Sequence, residues 1–97
     1  MDYDYELKSW PWFFDEMVAG RKKHDMRDKR ERDYTVGDLI LLREYDPRGL
    51  GYTGRTASMV ITYITSNDTP CAMSSNALDR DACILSVSVT DPQHVVH

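Results

Sequence analysis

The sequence predicts an α+β domain, in which one helix packs on a strongly bent, mostly antiparallel sheet of about four to six strands. Residues 10–18 repeat apolar side chains at the spacing of an amphipathic helix. Residues 39–42 are an apolar run that continues to residue 45, and residues 52–65 are rich in Thr, Val, Ile and Tyr. A reversal rich in Pro and Gly joins them, which predicts a hairpin. Residues 83–89 alternate apolar and polar side chains, as a further strand does. We expect closure into a small barrel, because closure covers strand edges.

A short strand at residues 3–8 precedes the helix. Ser9 offers a hydroxyl that can cap the helix, and Pro11 is tolerated in the first turn because its missing N–H would have no partner there. We expect the helix to end at Gly20, since glycine readily adopts the left-handed conformation. The helix carries three large rings, for which core packing is the favoured interpretation and a base-stacking platform the alternative: Trp10, Phe13 and Phe14.

Positive charge is concentrated just after the helix. Residues 21–32 hold seven of the twelve Lys and Arg residues against three Asp and Glu, a net +4, whereas the rest of the chain, with five against thirteen, carries −8. Clustered cations raise the potential within a Debye length of about 8–10 Å and so indicate a local anion site. The alternative is a solvated charged face. Within this segment, residues 24–28 can extend as a strand, and residues 29–33 form a charged loop.

The remaining segments are connections and a tail. Residues 36–38 predict the turn that returns the chain to the sheet. Residues 66–80 have little periodicity and predict a long loop, with one helical turn near residues 74–78. A single domain spans residues 1–97, and we expect residues 91–97 to be a flexible tail.

Composition argues against several classes of protein. A net charge of −4 disfavours a general coat for DNA. The longest apolar runs fall far short of the ~20 residues that cross a bilayer, and the acidic N-terminus lacks the pattern of a secretory signal, so we expect a cytoplasmic protein. Cys71 and Cys83 lack zinc-site spacing. We therefore expect reduced thiols, Cys83 buried in a strand, and neither a metal nor a cofactor.

Several motifs resemble those of a known family. The strings are YELKSWPWFF, AGRKKHDMRD, RDYTVGDLILLREYDP, YTGR and VITYIT. At these spacings they resemble the DUF3850 group of small bacterial and phage proteins, which belongs to the ASCH branch of the PUA-like superfamily. The resemblance covers residues 5–65. It implies a PUA-like β-barrel with a helix over one opening, which agrees with the elements derived above.

The wider ASCH signature, Gly-x-Lys-x-x-Glu-x-Arg, falls here on Gly20, Lys22, Asp25 and Arg27, with Asp in place of the usual Glu. The resemblance implies that this segment lines a cleft between helix and barrel, proposed in the superfamily to hold RNA or a nucleotide-like ligand. Lys and Arg can meet phosphate or a carbonyl oxygen there. A carboxylate can orient one of them or accept from a base amino group.

The first hypothesis is a binding module for RNA, a nucleotide or a modified base. Further rings that could stack on bases are Tyr34, Tyr45, Tyr52 and Tyr63. Gly54 lets the backbone approach a ligand closely and Arg55 can meet phosphate, although a β-bulge with a surface Arg is the alternative. The binding candidates are Lys22, Lys23, Asp25, Arg27, Arg30, Arg32 and Arg55.

The second hypothesis is a small amidohydrolase. One ASCH subgroup, which this chain resembles around AGRK, removes the acetyl group from acetylated cytidine with a lysine, a threonine and a glutamate. By that resemblance Lys22 matches the lysine and Asp25 occupies the threonine position, while the glutamate has no match. A desolvated lysine could act as base or nucleophile, with a carboxylate orienting water. The catalytic candidates are Lys22, Asp25 and Glu44.

The third hypothesis is a protein-interaction module, for example a phage inhibitor of a host nuclease or defence complex. It would act in the cytoplasm of the bacterial host. The resemblance includes chains encoded by phages, and an acidic domain with one basic edge suits docking on a nucleoprotein by charge complementarity. The sequence predicts no membrane partner and leaves the oligomeric state open.

Overall fold

The computed structural model describes residues 2–49, 51–72 and 77–95. Within these ranges the chain is α+β, with one short helix and a five-stranded sheet that curls into a half-barrel. The predicted fold class and the barrel-like sheet are confirmed at this level. No helix in the described ranges is long and apolar enough to cross a membrane.

The strands appear in a different order in the sheet than along the chain. Their order in the sheet is β1-β3-β4-β5-β2. Strands β1 and β3 run parallel, whereas the other neighbouring pairs run antiparallel. The predicted hairpin is the β3–β4 pair. The bounds are β1 Tyr5–Ser9, β2 His24–Asp28, β3 Leu39–Asp46, β4 Gly51–Ser66 and β5 Ala82–Val95, with helix α1 Pro11–Val18 between β1 and β2.

Strands β1 and β2 are the two edges of the sheet, and one side chain connects them. Arg27, on β2, donates from Nη2 to the backbone carbonyl of Lys8, on β1, at 2.7 Å. In a closed barrel backbone hydrogen bonds would fill this gap. The sheet is therefore barrel-like, but an arginine side chain bridges its two edges. We call the gap between β1 and β2 the seam.

The two ends of the helix are fixed by different features. The N-cap is Trp10, which has extended backbone and no side-chain cap. Ser9 is instead the buried last residue of β1 and pairs with Glu44, so the prediction that Ser9 caps the helix is wrong. At the other end Gly20 has φ +80°, as predicted for a helix terminator. Two backbone hydrogen bonds complete a Schellman motif: Gly20 N to Met17 O at 3.1 Å, and Arg21 N to Glu16 O at 3.0 Å.

The core lies between the helix and the concave face of the sheet. Phe14 and Met17, one turn apart, are the buried residues of the helix. They pack with fully buried side chains of β3, β4 and β5, namely Ile40, Leu42, Met59, Ile61 and Leu85. Core packing is the favoured prediction for Trp10 and Phe13, but they are 46% and 43% exposed. An eight-residue helix presents only a narrow face to the sheet, and Trp10 precedes it.

The last strand is longer than the sequence indicates. The sequence predicts a flexible tail from residue 91, yet β5 continues to Val95, and residues 94 and 95 pair with Thr56 and Arg55. The physical reason is the length of β4, whose first half would otherwise present an unpaired edge on that side. Cys83 is buried in β5 as predicted. The predicted helical turn near residues 74–78 falls mostly outside the described residues.

Candidate functional site

A groove of about 460 Å³ lies on the side of the seam that faces the helix. We call it the helix-side groove. The end of β1, the start of the helix and the strand β2 contribute to its walls. It therefore gathers the predicted cleft segment and two aromatic rings in one place. Its lining residues are Lys8, Ser9, Trp10, Phe13, Lys22, Asp25, Met26 and Arg27.

The polar centre of this groove is the pair of Arg27 and Asp25. Arg27 donates from Nε to Oδ2 of Asp25 at 2.9 Å, and Nη2 lies 2.8 Å from the same oxygen. Both side chains are largely buried. Since they sit two residues apart on β2, they point to one face of the strand. Arg27 is thus held between a carboxylate and the Lys8 carbonyl, with its orientation fixed before any ligand arrives.

Lys22 reaches the groove from the segment between helix and strand. The Schellman motif directs the chain there, because the backbone N–H of Lys22 also donates to Glu16 O, at 3.0 Å. The Nζ atom donates to the backbone carbonyl of His24 at 2.8 Å. An ammonium group has three donors, so two N–H groups remain for a ligand beyond this contact. The side chain therefore contributes a positioned positive charge.

Two aromatic rings complete the groove wall. Trp10 and Phe13 stack with ring centroids 5.9 Å apart and an angle of 21° between their planes. Trp12 lies against both, at 5.4 Å from Trp10 and 5.8 Å from Phe13, but it does not line the groove. All three rings are more than 40% exposed. Exposed aromatic clusters of this kind are typical of binding surfaces.

A second groove, of about 290 Å³, adjoins the first. We call it the tyrosine-side groove. Both grooves are lined by Lys8 and Arg27, so the bridge across the seam separates them. The guanidinium of Arg43 lies 3.8 Å from the ring centroid of Tyr52, and Lys8 Nζ lies 4.5 Å from that of Tyr45. The lining residues are Glu6, Leu7, Lys8, Arg27, Glu31, Arg32, Arg43 and Tyr52.

Beneath the helix, Arg55 joins a cluster of polar groups around the buried side chain of Glu44, in which Asp15 and Thr53 remain exposed. Its Nη1 atom lies 3.2 Å from Oε2 of Glu44 and 3.0 Å from Oδ1 of Asp15. Thr53 donates its hydroxyl to Oε1 of Glu44 at 2.5 Å. The guanidinium also lies 4.8 Å from the ring centroid of Phe14. We call these residues, Asp15, Glu44, Thr53 and Arg55, the Glu44 cluster.

The Glu44 cluster forms at a β-bulge in the β3–β4 pair, which the sequence predicts near Gly54. The β3–β4 register shifts beside Glu44, and Gly54 has φ +94°, so the predicted β-bulge is confirmed. The bulge turns Arg55 inward rather than to the surface. There one guanidinium faces two carboxylates, an arrangement that leaves no net positive charge for an anionic ligand.

The other predicted binding residues lie elsewhere. Arg32 lines the tyrosine-side groove, with its guanidinium 5.7 Å from the ring centroid of Tyr5. Lys23 is exposed, and its backbone carbonyl accepts from Val87 N. Arg30 forms a bidentate pair with Asp28 and also lies near Asp81. The hydrogen bonds from Arg30 hold the pKa of Asp28 at about 2.

The predicted aromatic and catalytic candidates are also separated. Tyr45 and Tyr52 meet edge to face at 5.1 Å beside the second groove. Tyr34 instead packs against the core, and Tyr63 is exposed on β4. Of the three catalytic candidates, two lie in the helix-side groove and the third lies in the Glu44 cluster: Lys22, Asp25 and Glu44.

Sequence reasoning missed Lys8 and Arg43 as site residues. Their signal is weak, because each is the single cation of its strand and shares that strand with carboxylates, Glu6 in β1 and Glu44 and Asp46 in β3. The structure places them side by side, since β1 and β3 are parallel neighbours in which Lys8 pairs with Arg43. A parallel pairing between strands thirty residues apart has no local sequence signal. One local feature indicates that the Trp10 side chain is exposed: it precedes Pro11, at the very start of the helix.

A larger concavity near the N-terminal segment has the wrong charge for the same role. It measures about 750 Å³. Three carboxylates line it, those of Asp2, Asp4 and Glu6, against the single cation Arg32. An acidic surface repels phosphate, so this region is a poor anion site.

Comparison with known protein families identifies one family whose model covers most of the chain. The model of a domain of unknown function, DUF3850, matches residues 5–87. The match includes both grooves and the Glu44 cluster. No curated protein matches the chain.

Within the described ranges, no group of three or more His, Cys, Asp or Glu side chains could hold a metal ion.

Proposed function

The chain belongs to the DUF3850 family, and from the geometry of its seam we propose that it binds a nucleobase, within a nucleotide or single-stranded RNA, in the helix-side groove. The observation that carries this proposal is the convergence of charge and exposed rings. Lys22, Asp25 and Arg27 line the same groove as Trp10 and Phe13. Single-stranded nucleic acids are held by the same combination of a charged groove and stacking rings.

Each part of the groove has a chemical role in this proposal. A base stacks on the exposed rings of Trp10 and Phe13, and a stacked base contributes roughly 1–3 kcal/mol. The Asp25 carboxylate accepts from an exocyclic amino group, because Arg27 occupies only part of its acceptor capacity. Lys22 provides the charge that meets a phosphate or a base carbonyl oxygen.

The charge of the chain limits where and how strongly it binds. The net charge is −4, so the surface as a whole repels phosphates. Attraction is confined to the segment that carries the clustered cations. We therefore expect modest affinity that falls steeply with salt, rather than tight nonspecific coating of RNA.

We further propose that the fold is a divergent ASCH domain of the PUA-like class. The packing of one short helix, through Phe14 and Met17, against a sheet that curls into a half-barrel supports this proposal. So does the position of the Gly-x-Lys-x-x-Asp-x-Arg segment, since three of its four signature residues line the groove between helix and sheet: Lys22, Asp25 and Arg27.

A second candidate function, docking on a protein partner, is favoured by one observation. Trp12 is 46% exposed and lies outside the groove, where a bound base would not cover it. Tryptophan is enriched at the energetic centres of protein interfaces. If the chain docks on a protein partner, removal of the Trp12 ring should weaken partner binding as much as removal of the Trp10 ring.

The test is a calorimetric titration with a single-stranded RNA tetranucleotide of mixed sequence at about 50 mM and about 200 mM salt. We expect binding at low salt that weakens as salt rises. Trp10→Ala should lower the affinity at least about fivefold, the lower end of the stacking range. Trp12→Ala is the matched control, because its ring is equally exposed but lies outside the groove.

Two results would contradict the proposal. One is the absence of binding at low ionic strength by a folded protein. The other is an equal loss of affinity in Trp10→Ala and Trp12→Ala, which would assign the ring cluster to a different surface. If RNA binding is absent and Trp12→Ala abolishes association with a stoichiometric protein partner, docking replaces nucleobase binding.

A further inference from the structure

We propose that the tyrosine-side groove holds a second nucleotide, so that the ligand is a single-stranded polynucleotide laid along the seam across Arg27. This inference rests on the proposed function of the helix-side groove and identifies the class of ligand. A free nucleoside or mononucleotide would fill only the first groove. A strand would occupy both.

The two grooves adjoin at the seam. Lys8 and Arg27 line both of them, and the hydrogen bond from Arg27 to the Lys8 carbonyl forms the divide. A ligand that extends from one groove must therefore pass the Arg27 guanidinium. A guanidinium at such a position suits the phosphate that links two nucleotides.

The tyrosine-side groove also has the size and chemistry for a nucleotide. Its volume of about 290 Å³ is just below the roughly 300 Å³ at which small-ligand pockets start, so it is large enough for one nucleotide at most. Tyr52 is 44% exposed, and its ring together with the Arg43 guanidinium 3.8 Å from its centroid offers a surface on which a second base can stack. Arg43 lies over that ring and makes a 3.3 Å ion pair with Glu6. Because a guanidinium has five N–H donors, this pair does not use up its capacity for phosphate.

Positive charge continues along the seam. The two grooves together contain five cations against three carboxylates, a net +2 on a chain whose net charge is −4. The positive groups occur on both sides of Arg27, as a track for successive phosphates requires. The cations are Lys8, Lys22, Arg27, Arg32 and Arg43, and the carboxylates are those of Glu6, Asp25 and Glu31.

The exposed rings favour a single strand over a duplex. Rings that lie in groove walls can stack only on bases that are unpaired and turned outward. Both grooves carry such a ring, Phe13 or Trp10 in one and Tyr52 in the other. RNA and DNA strands share the phosphates and the base faces, so the experiment includes both.

The experiment measures affinity against ligand length. Fluorescence polarisation competition at low salt compares a mononucleotide, a dinucleotide and a tetranucleotide, each as RNA and as DNA, with a hairpin duplex as a further arm. We expect the dinucleotide to bind at least about tenfold more tightly than the mononucleotide, and the tetranucleotide to add less than about threefold. The duplex should bind at least about tenfold more weakly than the tetranucleotide.

Variants of the second groove separate its contribution from that of the first. Tyr52→Leu and Arg43→Gln should each lower dinucleotide affinity at least about threefold, and together reduce it to the mononucleotide level. Neither should change mononucleotide affinity. Both side chains are partly exposed, and a thermal melt checks folding. The length series on the unmodified protein tests the second groove even if a variant unfolds.

The possible failures are distinguishable. Equal affinity for mononucleotide and dinucleotide overturns this inference alone and leaves the proposed function in place. Absence of binding to every nucleotide contradicts both. Equal binding of duplex and single strand overturns the proposal that the ligand is a single strand. A preference for RNA over DNA, with the other results as expected, supports the single-strand proposal and shows that the 2′-hydroxyl makes a contact.

Discussion

The helix-side groove and the Glu44 cluster are built from the same pair of residue types. Each contains an arginine from a strand and a carboxylate within hydrogen-bonding distance. In the groove, Arg27 meets one carboxylate and one backbone carbonyl and lies beside an open surface. In the cluster, Arg55 meets two carboxylates and the ring of Phe14. The pair in the groove is neutral, but Lys8 and Lys22 leave the groove lining with a net charge of +2. The cluster, with one arginine and two carboxylates, carries −1.

The difference shows that the surroundings of an arginine decide its role. Arg55 connects the helix, through Asp15, with the strand β3, through Glu44, and so fixes the helix on the sheet. Arg27 connects two sheet edges that share no backbone ladder. The first interaction lies below the helix, and the second lies at the border of two grooves. We therefore expect the Glu44 cluster to stabilise the fold, whereas the proposed ligand would bind at the seam.

Two neighbouring phenylalanines provide the largest expected contrast. Phe14 is fully buried beneath Arg55, while Phe13 is 43% exposed in the groove. Phe14→Ala should lower the free energy of unfolding by about 3–5 kcal/mol, because it leaves a cavity in the core. Phe13→Ala should lower it by less than about 1 kcal/mol. Urea denaturation of both variants measures this, and equal losses would remove the distinction between the two regions.

The next largest effect concerns the buried carboxylate. Glu44→Ala leaves Arg55 with Asp15 alone and removes the acceptor of Thr53. We expect a loss of about 2–3 kcal/mol, below the usual range for breaking a buried pair because Arg55 is partly exposed. Glu6→Ala is the matched control, since Glu6 pairs with Arg43 at the surface and should cost less than about 1 kcal/mol. A loss of equal size in both variants would contradict the structural role of Glu44.

The smallest effect is a pH dependence at a third arginine–carboxylate pair, which joins the last residue of β3 to the turn that follows it. Arg48 donates two side-chain hydrogen bonds and its backbone N–H to Asp46, and these bonds lower the pKa of Asp46 to about 2. Because an unfolded Asp has a pKa of about 3.9, the pair stabilises the fold above about pH 4. That stabilisation is lost as the pH falls through about 2.

Melting temperatures of the unmodified protein and Arg48→Gln measure this pH dependence. Their difference should be constant between about pH 5 and pH 7 and should shrink below about pH 4. The similar pair of Asp28 and Arg30 is present in both proteins and cancels in the comparison. A difference that persists unchanged to about pH 2 would show that the pair stabilises the fold through packing and not through charge.

Local patterns in the sequence predict most of the fold. Helix periodicity, the terminator at Gly20 and the hairpin turn are set by neighbouring residues, so they can be read from short segments. The strand at residues 24–28 also lies where the sequence predicts it, although its residues are polar. The sheet order and the parallel pairing of β1 with β3 depend on distant contacts. They have no local signal, and the position of Lys8 beside Arg43 follows from them.

The candidate site is predicted only in part for the same reason. Lys22, Asp25 and Arg27 are predicted as a group and share one groove. The sequence also predicts that Arg55 joins this group, but Arg55 instead pairs with Asp15 and Glu44. Charge alone does not reveal these partners, because both come from distant segments of the chain. Trp10 and Phe13 fit the helical spacing of a core, but helix length decides which ring is buried, and this helix has only eight residues.

The location of bound ligand on the protein tests the assignment of binding most directly. A single-stranded RNA dinucleotide is added to the 15N-labelled chain, and backbone amide shifts are followed by NMR. We predict saturable shifts at Lys8, Trp10, residues 22–27 and Tyr52, with little change at Thr53 and Arg55. Shifts centred on the Glu44 cluster, or saturable binding without shifts at residues 22–27, would contradict the assignment of binding to the seam.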